Sequence, residues 1–371
     1  MKAKFLDEFD CVEDIVGKLL DKIQAENAPI VLYGAGYCLK LFLDLLDEAN
    51  LDVKAIVDKD CKKWGKTVHQ IEINSWEKIK QTYPVMQVVI ATSHFKEIEN
   101  ELREEGFLGN ILYLPLNAYY KNSVYGYSFL EKYEDRLQKV YEKFADNISR
   151  KVFINILKHN MSFDDQYFAN IEEYEIIGYF GTELFENKEN EVIIDGGAFD
   201  GDTIREFFSV PGRKFKKIYA FEPDTDNYKK LCAAAENDKI VPIHAGLGKE
   251  KAELNFIMGR GVSSRVDKEG TNQIAIEAID QVLKDEKPTY IKMDIEGAEA
   301  DALLGGRRMI EKYLPVLAIS AYHKMRDMFE LVELIDELGS GNYDIYLRHT
   351  FYYQKVRIQP DVIIYAKRKI G

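Results

Sequence analysis

Two periodicities of apolar and polar positions run along the chain, and the switches between them mark its elements. Residues 5–27 have apolar positions at helical spacing, and Pro29 ends that run. An apolar strand follows, Ile30-Val31-Leu32-Tyr33, then Gly34-Ala35-Gly36 and a helical stretch through Ala49. Val53 to Val57 reads as a second strand, closed by Asp58. Val85 to Ala91, after Pro84, is a third, and Asn110 to Leu114, stopped by Pro115, a fourth. Strand and helix alternate, which predicts a small doubly wound parallel sheet over 29–117.

From Ala118 to Lys188 the spacing becomes purely helical. Tyr133, Leu137, Val140, Tyr141 and Phe144 recur at three- and four-residue steps, and Phe153, Ile156 and Leu157 continue them. This predicts a helical connector whose aromatics are packing residues. Alternation resumes at Glu191, with strands expected at 191–195, 217–222, 240–245, 289–294, 316–320, 343–348 and 361–366. A hairpin-like link joins the last two. Six parallel strands and one late antiparallel strand make the expected sheet. The reading is α/β: two doubly wound, Rossmann-like domains (1–117 with its N-terminal helix, and 189–371) joined by a helical connector, 118–188.

Composition narrows the classes. Hydrophobic residues at 46% and aromatics at 12% rule out disorder as the main state. No apolar run approaches the roughly 18–20 residues of a membrane span. The net charge is −13, and each of the three segments is net negative, which disfavours a nucleic-acid partner. Cys11, Cys38, Cys61 and Cys232 are far apart, fitting neither a disulfide framework nor a zinc site. The start, Met1 to Glu8, turns acidic without a signal-peptide core. A cytoplasmic location is therefore expected.

Candidate chemistry concentrates in the C-terminal half. Val192-Ile193-Ile194-Asp195 runs into Gly196-Gly197-Ala198-Phe199-Asp200-Gly201-Asp202-Thr203, a buried strand entering a glycine-rich turn with a helix starting near Thr203. The first βα turn of such a sheet holds adenosine-containing cofactors. The next strand ends in Phe221-Glu222-Pro223-Asp224, and a carboxylate there can accept both ribose hydroxyls. NAD would bring a pyrophosphate to the helix start, where Asp200 and Asp202 repel it. S-adenosylmethionine carries an amino group and a sulfonium, which acids suit. Tyr290 to Glu299 delivers Lys292, Asp294 and Glu296 to the C-terminal rim of a strand, and Leu317 to Lys324 adds His323. His323 could be a base or a loop residue satisfying backbone. Lys292 could be catalytic or pair structurally with Asp294 or Glu296. Asp280 reads as a helix N-cap, and Arg348 and His349 as acceptor-side or surface groups.

These ordered motifs resemble the FkbM-type family of S-adenosylmethionine-dependent methyltransferases over roughly 160–368. The likeness is carried by Asp195 to Thr203, Phe221 to Asp224, Ser263-Ser264, Ile291 to Glu299, Ala318 to Lys324 and Tyr346 to His349, with Gln166-Tyr167-Phe168 before the first strand. It implies a class I seven-stranded sheet and O-methyl transfer to a sugar, glycan precursor or other natural product. It implies that Asp195, Gly196, Gly197, Ala198, Phe199, Asp200, Gly201 and Thr203 surround the methionine part of the donor. Glu222 and Pro223 would hold the ribose, Ala245 and Gly246 would lie by the adenine, and Ser263 and Ser264 would form a loop near the donor. Asp294, Glu296 and His323 would face the acceptor, with Asp294 or His323 as base and Lys292 beside them. A divalent metal on Asp294 and Glu296 is the uncertain addition. Ser320-Ala321-Tyr322-His323 lacks the Glu that many relatives carry before the histidine.

The N-terminal glycines are a separate question. Gly34-Ala35-Gly36-Tyr37-Cys38-Leu39 has two glycines of a dinucleotide fingerprint but leucine at the third position, and Asp58 ends the second strand. The arrangement looks like the small Rossmann domain preceding bacterial sugar-nucleotide acyltransferases. That implies a nucleotide or nucleotide-sugar site at Gly34, Gly36, Asp58 and Thr92; a structural or dimerising domain and NAD are the alternatives. Expected partners are thus a small-molecule or glycan acceptor, a nucleotide sugar, and a further copy of the chain. Two other functions stand beside the methyltransferase: an NAD-dependent nucleotide-sugar-modifying enzyme and a non-catalytic donor-binding scaffold.

Overall fold

The computed structural model describes residues 5–120, 123–181, 183–235, 237–257, 265–266, 272–350 and 361–369. These fall into two compact units. One comprises residues within Met1–Gln138 and Ile154–Asn170, the other those within Lys139–Phe153, Ile171–Gln354 and Pro360–Gly371. The stretch expected to be a connector is divided between them, its helices being Tyr127–Lys132, Glu134–Lys143, Asn147–Ser162 and Gln166–Ala169.

The first unit is built on a six-stranded sheet. Its strands are β1 (Ile30–Tyr33), β2 (Val53–Val57), β3 (Thr67–Val68), β4 (Ile71–Asn74), β5 (Gln87–Ile90) and β6 (Ile111–Leu112), in the order β3-β4-β2-β1-β5-β6. All neighbours are parallel except β3 and β4. That hairpin was absent from the strand pattern, because His69-Gln70 lacks the usual turn residues yet takes left-handed φ values of 50° and 67°. The expected helix over 5–27 is broken. A 3-10 turn covers Phe5–Phe9, and Asp14 then caps the helix Ile15–Ala25 through its bond from the Gly17 N–H (2.7 Å). At the other end Gln87 Nε2 donates to the carbonyls of Ile23, Glu26 and Ala28, closing that helix end against the start of β5.

The second unit holds a seven-stranded sheet. Its strands are β7 (Val192–Gly196), β8 (Lys217–Phe221), β9 (Ile240–Ile243), β14 (Tyr290–Met293), β15 (Val316–Ser320), β16 (Tyr343–Thr350) and β17 (Asp361–Arg368). Their order is β16-β17-β15-β14-β7-β8-β9, with β17 antiparallel to both neighbours and the remaining pairs parallel. The strands expected from alternation are all present. A four-stranded sheet between β9 and β14 is additional: β10 (Gly246–Leu247), β11 (Ala252–Ile257), β12 (Arg265–Val266) and β13 (Asn272–Glu277), ordered β10-β13-β11-β12. Its small core is Ile274 and Ile276, with Ala252 packed against them. The strand order reverses between β7 and β14, so their C-terminal ends open a crevice.

Candidate active site

The crevice begins at the glycine turn after β7. Gly197 has φ +73°, and a Cβ there would sit 1.9 Å from the Asp294 carbonyl oxygen, so only glycine lets the turn approach β14. The Gly197 and Ala198 N–H groups both donate to the Phe221 carbonyl (3.1 and 2.9 Å). The Phe199 N–H donates to Glu222 Oε2 (2.9 Å), and Glu222 Oε1 accepts from the Asp224 N–H (2.8 Å). Three successive amides of the turn are thus consumed by the end of β8. Burial, partly offset by those two bonds, pushes the Glu222 carboxyl up to about 7.

Lys292 staples this turn from below. Its ammonium lies 3.0 Å from Asp195 Oδ1 and donates to the carbonyls of Gly196 (3.1 Å) and Gly197 (2.7 Å). Both side chains are fully buried. The sequence paired Lys292 with Asp294 or Glu296; its ion pair is with Asp195, because a side chain on β14 reaches the residue beside it on β7 (Lys292↔Asp195). Asp195 Oδ2 has no hydrogen-bond partner among the described residues. Burial raises the Asp195 carboxyl, with Lys292 opposing.

Asp200 pairs with Arg205 (2.5 Å), so its charge is locally neutralised. Gly201, at φ +88°, caps the helix Asp202–Ser209, and the Thr203 N–H turns back to Asp202 Oδ1 (2.8 Å). Ala245 is buried, and Gly246 opens β10, where a Cβ would lie 3.8 Å from Pro223 Cβ. Ser263 and Ser264 lie outside the described residues.

Across the crevice Asp294 gathers three groups. Tyr179 Oη donates to Asp294 Oδ2 (3.0 Å) and lies 3.0 Å from Ser320 Oγ. Tyr322 Oη donates to Oδ1 (3.1 Å), and His323 Nε2 is 3.3 Å from the same oxygen. Burial would raise the Asp294 carboxyl, but His323, Lys292 and the Tyr179 hydroxyl outweigh it and hold it well below the usual range. His323 Nδ1 lies 3.0 Å from Glu299 Oε1, a charge contact rather than an aligned hydrogen bond, and Nε2 is 3.9 Å from Glu296. Burial opposes a charge on His323, yet Glu299 and Asp294 together raise it well above an ordinary imidazole. The two carboxylates thus favour the imidazolium form, which has no lone pair with which to act as a base.

Glu296 stands at φ +56° with Gly297 at +94°, a sharp turn that Glu299 Oε1 holds by accepting the N–H groups of Ile295 (3.0 Å) and Gly297 (3.3 Å). Lys324 closes the turn on the Gly297 carbonyl. Asp294 and Glu296 fit a metal poorly, since both oxygens of Asp294 are already engaged. Glu299, His323 and Asp327 bring ligand-type atoms within 4.8 Å of one another.

Tyr179 was not foreseen. It is one aromatic among many, preceding β7, and only the fold brings it over Asp294. Glu206 holds the turn around Tyr179 by accepting the N–H groups of Tyr179 (3.1 Å) and Phe180 (2.6 Å), while Tyr290 and Tyr365 donate to the Tyr179 carbonyl (2.8 and 3.2 Å). Three other expectations change. Asp280 caps the helix Arg307–Tyr313 instead of its own, accepting from the Arg308 and Met309 N–H groups (2.9 and 3.0 Å). Arg348 is buried and paired with Asp146 and Glu183, each at 2.7 Å. His349 is buried beside it, and burial followed by the Arg348 charge pushes its ring down to about 4. Neither is a surface group.

In the first unit Gly34 donates its N–H to the Val57 carbonyl (2.7 Å), and Ala35 donates to Asp58 Oδ2 (2.7 Å). Lys63 pairs with the same oxygen (2.8 Å), and the Asp60 N–H takes Oδ1 (2.8 Å). Thr92 Cγ2 lies 3.2 Å from where a Gly34 Cβ would be, so Gly34, Asp58 and Thr92 do converge, while Gly36 faces open space.

The seven-stranded sheet, with its antiparallel β17 and acid-flanked glycine turn, defines a methyltransferase-type α/β domain. Residues 195–345 match the family model described as Methyltransferase FkbM domain, so the second unit carries a methyltransferase domain of the FkbM family. Residues 26–110 match a second model, C2185-like, N-terminal. Among solved structures the chain is similar to the methyltransferase FkbM from Methylobacillus flagellatus KT, at 22% identity and TM-score 0.58, covering 97% of this chain and 95% of that one; the likeness is one of fold. It is also similar to a precorrin-6y C5,15-methyltransferase from Geobacter metallireducens GS-15 (13% identity, TM-score 0.34, 53% of this chain and 95% of that one). An rRNA methylase from Streptococcus thermophilus is similar at 13% identity and TM-score 0.31, over 49% of this chain and 90% of that one. No curated protein matches. Among the described residues, no helix is long and apolar enough to cross a membrane.

Proposed function

We propose that the chain is an S-adenosylmethionine-dependent O-methyltransferase acting on a hydroxyl of a sugar, glycan precursor or other natural product. The observation carrying the choice of cofactor is the glycine turn. Its amides at 197, 198 and 199 are spent on β8, so a pyrophosphate finds no cradle of free N–H groups there. What the crevice offers instead is acceptors. The buried, orphaned Asp195 Oδ2 suits an ammonium, and Glu222, at the end of β8, suits ribose hydroxyls. Such a donor supplies a methyl group already activated on a positive sulfur.

The chain's own work is then orientation and charge. Asp294 is fixed by two phenols and the His323 ring and stays ionised, holding negative potential over the crevice. Lys292 keeps the turn in shape by neutralising Asp195. The acceptor class rests on the family resemblance. Calorimetric titration with S-adenosylhomocysteine, with NAD in a parallel cell, tests the reading. Saturable binding of the homocysteine compound that Glu222→Ala removes is the expected result. Binding of NAD alone would transfer the chemistry to the first unit and end this proposal.

A further inference from the structure

Methyl transfer to an alcohol needs a proton acceptor, and neither His323 nor Asp294 is suited to that part. His323 is held towards its charged form between Glu299 and Asp294, and Asp294 has both oxygens engaged and a strongly depressed affinity for protons. One more carboxyl stands on the same rim. β17 runs antiparallel to its neighbours, so its first residue, Asp361, lies at the end where the parallel strands finish. Ser320 pairs with Ile363, and the Ala321 N–H bonds to the Val362 carbonyl (2.8 Å), which puts Asp361 next to the loop carrying Tyr322 and His323. Its charge is felt by the Tyr179 and Tyr322 hydroxyls and interacts with Asp294, Glu296 and His323. The Asp361 carboxyl makes no hydrogen bond or ion pair with a described residue.

We propose that Asp361 is the base that takes the acceptor's proton. The inference rests on the methyltransferase reading of the same crevice. The acceptor oxygen forms the new C–O bond, the C–S bond breaks with its electron pair going to sulfur, and the hydroxyl proton passes to an Asp361 oxygen. The sulfonium charge is discharged in that step, and the carboxylate becomes neutral as the ether forms.

The two carboxyls are tuned in opposite directions. Burial, with the Asp294 charge next, raises Asp361 to about 7, and only His323 among its neighbours opposes this while Glu296 adds to it. On the flanking strand β16, Arg348 is committed to Asp146 and Glu183, and His349, paired with Val362, is neutral. Paired carboxyls pushed apart in this way commonly divide into a permanently ionised group and a proton carrier. Turnover should therefore rise with pH through the Asp361 midpoint, since the base is active only when deprotonated.

The test is a carbon-13 NMR titration of the full chain labelled at aspartate carboxyls, alone and with S-adenosylhomocysteine or S-adenosylmethionine. Asp361→Asn assigns the signal; if that variant does not fold, Asp361→Glu with glutamate labelling does so. The expected midpoint is about 7 with the homocysteine compound, and it should fall by about 1 unit or more when the positive sulfonium replaces the thioether. A midpoint in the ordinary carboxylate range, or one indifferent to that exchange while both compounds bind, overturns the role of Asp361. Absence of any spectral change with either compound overturns the methyltransferase reading itself.

Discussion

The chain builds the same device twice. In each unit a buried strand enters a glycine turn, and the next strand of the βαβ unit ends in an acid that accepts an N–H from that turn. In the first unit the acid is Asp58, bonded to the Ala35 amide, the Asp60 amide and the Lys63 ammonium. In the second it is Glu222, bonded to the Phe199 and Asp224 amides with no cation paired to it among the described residues. Lys63 and its companion bonds hold Asp58 low against the pull of burial, whereas Glu222 rises to about 7. The first turn is neutralised by its own chain. The second keeps unspent acid, and its buried lysine sits beneath the turn, not on the acid. A shared backbone plan therefore does not imply a shared ligand; the counter-charge decides.

The sharpest break between the turns is steric. Gly197→Ala puts a methyl group against the Asp294 carbonyl at a left-handed φ, and it should cost about 4 kcal/mol or more or prevent folding. Gly36→Ala meets nothing within 4 Å and should change stability by less than about 0.5 kcal/mol. Denaturant unfolding of both variants measures the contrast; equal effects would refute it.

The lysines come next. Lys292→Met strands a buried carboxylate and two carbonyls, a loss of about 3–5 kcal/mol. Lys63→Met removes a partly exposed ammonium and leaves the buried Asp58 its two amide donors, and it should cost about 1 kcal/mol. The same unfolding experiment ranks them.

The smallest effect is the pH dependence, and the two acids have opposite signs. Glu222 binds its proton more tightly folded than unfolded, so its contribution to stability declines as pH rises from about 4.5 towards about 7. Asp58 binds its proton less tightly folded, so its contribution is present above about 3.8 and is lost as pH falls further. Melting temperatures of wild type and Glu222→Gln at about pH 5 and pH 8 should converge at the lower value. Parallel curves would contradict the burial of an unpaired Glu222.

Much of this fold was legible because parallel strands buried on both faces leave continuous apolar runs, and glycines and acids punctuate their ends. The crevice residues Asp195, Gly197, Glu222, Asp294, Glu296 and His323 stood out for that reason. The β10–β13 sheet did not: Ala252, Leu254 and Phe256 alternate with polar residues and Ile274 and Ile276 stand two apart, but these runs are short and less apolar than the buried parallel strands around them. Tyr179 and Asp361 did not either. Nothing local separates Tyr179 from the other aromatics before β7, or Asp361 from any acid that opens a strand.

The sequence by itself determined the α/β class, the strand set of the seven-stranded sheet and the places where chemistry gathers, because burial and turn geometry are written in local residue spacing. Only the tertiary structure decided the partners. It gave Lys292 to Asp195, set Glu299 against His323 so that its proton is held more tightly, laid Tyr179 on Asp294, and carried Asp361 to the crevice rim by reversing one strand. Charge state and pairing depend on distances across strands, and those distances exist only once the sheet has formed.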